Sequence, residues 1–195
     1  MSSLSTLSPK LLSYALIAGA LLAPAGCVIA GDAKHERTAE VTLTHQDNAP
    51  IRVGTENGAI EIVADDDAEA VSIVAEIKAQ TRQRAEAVMI KAERSADGTL
   101  SVEAVWPDKR LNNEGCSFTI HLPNAHGVEA TTANGRIDIH HLSGPANLES
   151  SNGRITVLGH QGPIDAQASN GTNAIDRSVG RVQAPRLGDR RGKVR

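Results

Sequence analysis

"HGVEATTANGRIDIHHLS" (126–143), "GPANLESSNGRITVLGHQ" (144–161) and "GPIDAQASNGTNAIDRSV" (162–179) follow one another without a gap, and each is eighteen residues long with Asn-Gly at the same place. Val128, Ala146 and Ile164 stand six residues before the Asn, and Ile139, Val157 and Ile175 five residues after it. Gly-Pro opens two of the rows, at 144 and 162. Coincident columns at a fixed interval mark a structural repeat. An earlier stretch, "APIRVGTENGAIEIVADD" (49–66), fits the same columns, with Ile51 before and Ile62 after Asn57-Gly58.

Two β architectures use such a pattern. Asn-Gly favours a two-residue type I′ turn, so each row could be an antiparallel hairpin. The alternative is a solenoid, in which each row is one coil and equivalent columns stack about 4.8 Å apart. The solenoid is preferred, because a hairpin constrains only the turn, whereas stacking also keeps the apolar columns and Gly-Pro in register. Stacked Asn amides can then hydrogen-bond along a ladder. Gly58, Gly135, Gly153 and Gly171 are expected to supply a positive φ at the corner beside Asn57, Asn134, Asn152 and Asn170.

Outside the rows the same all-β reading holds. "AEVTLTH", "VSIVAEIKA", "AVMIKAER", "TLSVEAVW" and "CSFTIHLP" carry the period-2 alternation of half-buried strands and are expected as a few longer antiparallel strands. "QTRQRAEA" suits one short helical turn. Phe118, Trp106 and Tyr14 are the only aromatics, so aliphatic side chains must fill the core, and a large aromatic-walled pocket is disfavoured. Counting by twos, Cys116, Phe118, Ile120 and Leu122 share a strand face, which makes Cys116 a small buried apolar residue. With Cys27 the only other cysteine, no disulfide scaffold or thiolate metal site is expected.

The chain begins "MSSLSTLSPKLLSYALIAGALLAPAGC", a polar segment, an apolar run shorter than the roughly 20 residues that span a bilayer, and then small residues. That order is an export signal. Ala25-Gly26-Cys27 resembles a bacterial lipobox, although Pro24 stands where an aliphatic residue is usual, and the resemblance implies lipidation of Cys27. Cleavage after Ala25 or Ala30 is the alternative. Val28, in place of Asp, would direct a lipidated protein to the outer membrane of a Gram-negative cell. The domains read as signal peptide 1–26, spacer 27–37, β-repeat domain 38–175 and basic tail 176–195.

The extended strand and proline of "FTIHLP", followed by "ATTANGRIDI", "ESSNGRITV" and "QASNG", resemble a bacterial putative-adhesin family, a domain of unknown function with β-helical repeats. The resemblance covers roughly residues 38–175 and implies a layered or solenoidal β domain, often tethered to the envelope, with a binding, structural or stress-response role. It breaks at Asn173, where an Ile is expected, and the chain then runs "AIDRSVGRVQAPRLGDRRGKVR". That end is either a natural basic tail, facing anionic lipid or polysaccharide, or a truncated or frame-shifted end. An uncapped solenoid end would invite self-association.

Charge and motifs narrow the function. Residues 176–195 carry net +5 on a chain of formal charge −3, leaving −8 on the remainder, which speaks against nucleic acid as a partner. Gly-x-Ser-x-Gly, His-Glu-x-x-His and phosphate-binding loops are missing from the sequence. His140, His141 and His160 are expected as solvated turn residues, since His160 shares a column with Leu142 and the three do not converge on a metal. "ADDDAEA" (64–70) lacks the spacing of a Ca²⁺ loop and reads as a solvated turn. Arg136 and Arg154 share the column after Asn-Gly and form a candidate anion-binding face, with a solvated outer strand as the plainer account.

The expectation is therefore an exported, lipid-anchored, non-enzymatic β-repeat protein of the cell envelope with an adhesion-like or structural role. It needs no cofactor and no metal, and its partners are the membrane, through the anchor, and a glycan or envelope protein. The alternatives are an accessory of an envelope-stress signalling system and a polysaccharide-active β-helix enzyme.

Overall fold

The structure, a computed structural model, describes residues 35–176 and 182–183. They form β1 (His35–Thr44), β2 (Ile51–Asn57), β3 (Ile60–Ala64), β4 (Ala70–Ala79), α1 (Arg82–Ala87), β5 (Met89–Arg94), β6 (Leu100–Val105) and β7 (Gly115–Leu122). There follow β8 (His126–Asn134), β9 (Ile137–His140), β10 (Ser143–Ser150), β11 (Arg154–Leu158), β12 (Ile164–Ala168), β13 (Thr172–Asp176) and β14 (Val182–Gln183). The domain is all-β apart from one short helix. Its two seven-stranded sheets are mixed, with orders β1-β4-β7-β3-β9-β11-β13 and β14-β12-β10-β8-β2-β6-β5, and neither closes into a barrel.

From β8 onward the chain alternates between the sheets. Val128, Ala146 and Ile164 pair in parallel in one sheet, and Ile137, Ile155 and Asn173 in the other. Neighbouring parallel strands need a crossover of a dozen or more residues. Eighteen residues provide it, because the strand contributed to the opposite sheet is itself the crossover. The earlier row joins the same stack: Ile51 pairs with Val128 and Ile60 with Ile137. Residues 71–122 are therefore an excursion in sequence that leaves the stacking of the rows uninterrupted.

The excursion supplies the antiparallel strands other than β1. β4 pairs antiparallel with β1 and with β7, and β5 with β6, while β7 pairs in parallel with β3 and β6 with β2. β7 in one sheet, like β6 in the other, is a junction between the two pairing modes. Cys116, Phe118, Ile120 and Leu122 on it are all buried, as is the alternating set Val71, Ile73, Ala75, Ile77 and Ala79 of β4. The inward faces of both sheets form one core, filled mainly by Ile, Val, Leu and Ala. Each fully buried Ile contributes about 1.5–3 kcal/mol.

β1 starts at His35, so His35, Glu36 and Arg37 belong to a strand and not to the spacer. Arg37 donates to the carbonyls of Ala85, Glu86 and Val88, placing a cation where α1 ends. Thr81 caps the other end, its hydroxyl accepting from the Arg84 N–H at 3.2 Å. The signal peptide, Cys27 and most of the basic tail lie outside the described residues; Asp176 closes β13, and Val182–Gln183 pairs with β12 in the next repeat register. Among the described residues no helix is long and apolar enough to cross a membrane.

Candidate functional site

The repeated corner is built from three columns. In the first, the Asn170 amide donates to the Asn152 side-chain oxygen at 2.9 Å, Asn152 to Asn134 at 2.9 Å, and Asn134 to Asn57 at 2.6 Å. Asn57 ends the run by donating to the carbonyls of Asn112 and Glu114 at 3.1 and 3.0 Å. Four side chains that are far apart in sequence thus act as one ladder.

In the second column, glycine is required for a reason other than the expected one. Gly58 does adopt positive φ, at 156°, but Gly135, Gly153 and Gly171 do not; the other left-handed glycines include Gly144 and Gly162 of the Gly-Pro pairs, with φ of 80° and 145°. What excludes a side chain at the Asn-Gly glycines is the neighbouring row. A Cβ on Gly135 would lie 1.9 Å from the Gly58 carbonyl oxygen, one on Gly153 1.8 Å from that of Gly135, and one on Gly171 1.6 Å from that of Gly153. The glycine column lets backbones approach, and apart from Gly58 the positive-φ glycines lie elsewhere.

The third column stands two residues before the Asn. Thr55 donates its hydroxyl to the Cys116 carbonyl at 2.8 Å, Thr132 to Gly58 at 3.1 Å and Ser150 to Gly135 at 3.0 Å. Thr132 and Ser150 are buried, so these bonds satisfy groups that water does not reach. The next row has Ala168 here, which offers no hydroxyl. The same row places Asn173 in register with Ile155, and although its amide donates to the Ala166 carbonyl at 3.0 Å, its buried Oδ1 has no partner. The row in which the sequence pattern fails keeps its rung of the Asn ladder but loses the hydroxyl bond and leaves a buried oxygen without a partner.

Arg136 and Arg154 are both exposed on the outer strand face. Arg136 is engaged by Asp138 at 2.6 Å and, more distantly, by Glu61 at 3.8 Å from the earlier row. Of the histidines, His141 is exposed with φ 59° and His140 is half-buried, but His160 is fully buried. The expectation of a solvated turn fails for His160, because its column continues that of the buried Leu142. Its Nε2 donates to the Gly144 carbonyl at 2.8 Å, while Nδ1 has no partner, and burial holds its pKa below the usual histidine value. In the acidic turn, Asp65, Asp66 and Asp67 are exposed, and Asp65 accepts from the Asp67 N–H at 3.0 Å. Among the described residues no group of His, Cys, Asp or Glu is arranged to hold a metal ion.

One constellation has no signature in the sequence. Glu114 is completely buried and takes a bidentate pair from Arg84, at 2.7 and 2.8 Å, together with the N–H groups of Leu111 and Gln80. The Arg84 guanidinium, with those backbone donors, holds the carboxyl down at about 2 against the cost of burial. This pair fastens α1 to the loop that terminates the Asn ladder. Its members are thirty residues apart and follow no repeat, so spacing could not reveal them.

No family model matches the chain, and no curated protein matches it. Among solved structures it is similar to a putative adhesin from Bacteroides fragilis, with TM-score 0.48 and 15% identity, covering 78% of this chain and 72% of that one. It is also similar to a putative cell adhesion protein from Clostridium sporogenes, with TM-score 0.38 and 11% identity over 73% and 72% of the two chains. A putative adhesin from Parabacteroides distasonis gives TM-score 0.38 and 10% identity over 74% and 67%.

Proposed function

We propose that the protein is an exported β-solenoid, anchored to the cell envelope through Cys27, whose role is adhesion-like binding or envelope structure without catalysis. The observation that carries this reading is the parallel register at eighteen residues, which holds the outward columns of successive rows in fixed order. On the outer face of one sheet, Arg52, Glu129, Asn147 and Asp165 run across the rows, as do Gly54, Thr131, Glu149 and Gln167. Such a surface is a rigid polar platform suited to a repeating or extended partner.

Cross-linking in the native envelope, followed by identification of the captured molecules, tests the reading. Glycan or matrix protein is the expected catch; capture of a membrane regulator would favour a stress-signalling accessory. Turnover of an acidic polysaccharide that disappears when Arg136 and Arg154 are replaced would overturn the non-catalytic assignment. Metabolic labelling with a fatty-acid analogue should mark the wild type and spare Cys27→Ser, and an unlabelled wild type removes the anchor.

A further inference from the structure

Gly54 is the outward-facing glycine for which the backbone offers no reason. Its φ is not positive, and a Cβ built on it meets nothing within 4 Å. Strand interiors disfavour glycine, which loses conformational entropy and packs nothing there. The open space is instead the floor of a groove of about 370 Å³ across β6, β2 and β8. Gly54 lies between Glu103 on one neighbouring strand and Thr131 on the other, so its missing side chain leaves a notch between them.

The groove is closed along the strands by two ion pairs. Arg52 donates to Glu129 at 2.9 Å at one end, and Arg110 to Glu56 at 2.9 Å at the other. Trp106, half-buried against the core, lines it as well. Glu103 is itself paired with Lys91 at 3.6 Å. The groove therefore combines an indole with hydroxyl, carboxylate and guanidinium groups whose charges are already matched. Its volume falls within the range of about 300–1,000 Å³ of ligand sites, but its lining is more polar than usual.

We infer that this groove binds a neutral pyranose unit of a glycan, the apolar C–H face of the sugar lying on Trp106 and its hydroxyls bonding to Thr131 and the flanking ion pairs. A charged sugar would have to compete with existing pairs, whereas neutral hydroxyls can use the lone pairs and N–H groups those pairs leave over. The inference rests on the adhesion-like reading for its setting and names the ligand class and its site.

Trp106 is the only tryptophan in the chain, so its emission reports on this groove alone. Purified mature protein is titrated with maltose, cellobiose and N,N′-diacetylchitobiose up to about 10 mM, tenfold above a millimolar dissociation constant. A saturating change in emission is expected with at least one sugar, and Gly54→Val, which fills the floor, is expected to weaken it at least tenfold while the melting temperature holds or rises. Silence with all three sugars, or an equal response in Gly54→Val, overturns the proposal, as does a response to an unrelated peptide mixture alone. Beads carrying the protein separate the two readings. Glycan-surface adhesion that survives Gly54→Val removes the groove alone; beads that fail to adhere while sugar still perturbs Trp106 remove adhesion alone.

Discussion

The side-chain amide of Asn152 donates to the side-chain oxygen of Asn134 at 2.9 Å, and its own oxygen accepts from Asn170 at the same distance. Asn152→Ala removes both rungs, and since these groups are solvent-exposed the expected cost is about 1–2 kcal/mol. Asn152→Asp is expected to cost more at neutral pH, because a carboxylate has no N–H to give and faces the Asn134 oxygen. Urea unfolding of the two variants checks the order; an Asp variant as stable as wild type at pH 7 would mean that the ladder contributes nothing.

Gly153 and Gly54 make opposite predictions for the same substitution. A Cβ on Gly153 would sit 1.8 Å from the Gly135 carbonyl oxygen, so Gly153→Ala forces two rows apart and should cost about 1–3 kcal/mol or more. Gly54→Ala enters open space in a strand and should be neutral or stabilising by about 0.4–1 kcal/mol. Thermal melts of the pair decide whether close approach is what keeps glycine in the Asn-Gly column.

The eighteen-residue register was legible because parallel pairing repeats its demands from row to row. Ile51, Val128, Ala146 and Ile164 face one core column in successive rows, and any row viewed alone would fit a hairpin equally well. The expected positive φ holds at Gly58 but not at Gly135, Gly153 and Gly171, because Asn-Gly is an ordinary turn signal, while a clash with the next row exists only once the rows are placed together. His160 was misread for a related reason: polarity suggested solvent, yet its column is that of Leu142 and places it inside. The Arg84–Glu114 pair and the groove beside Trp106 depend on how residues 71–122 fold back onto the rows, and no periodicity encodes that return.

The third row can be repaired. Ala168→Ser restores a hydroxyl positioned to reach the Gly153 carbonyl as Ser150 reaches Gly135, an expected gain of about 0.5–1.5 kcal/mol. Asn173→Ile removes a buried oxygen without a partner and places an aliphatic side chain in register with Ile155, a gain of about 1–3 kcal/mol. Both variants should raise the midpoint of chemical unfolding. A fall in both would show that the row is held by interactions other than those of the two rows before it.

Acid should weaken the fold in two separate windows. His160 has its pKa lowered by burial, so the unfolded chain takes up its proton first, and stability is lost as pH falls below about 6.5 toward the depressed folded value. Protonation would also put an N–H on the buried Nδ1, which has no acceptor. Glu114 is held at about 2 by Arg84, against 4.5 unperturbed, so its contribution is complete above pH 4.5 and disappears as pH drops toward 2. Breaking that buried pair with Glu114→Gln should cost about 3–5 kcal/mol near neutrality and flatten the lower window. His160→Leu should flatten only the upper one. Melting temperatures measured from pH 8 to pH 2 resolve the two contributions; a Glu114→Gln variant that loses stability between pH 4.5 and 2 as steeply as wild type would assign that window to other carboxylates.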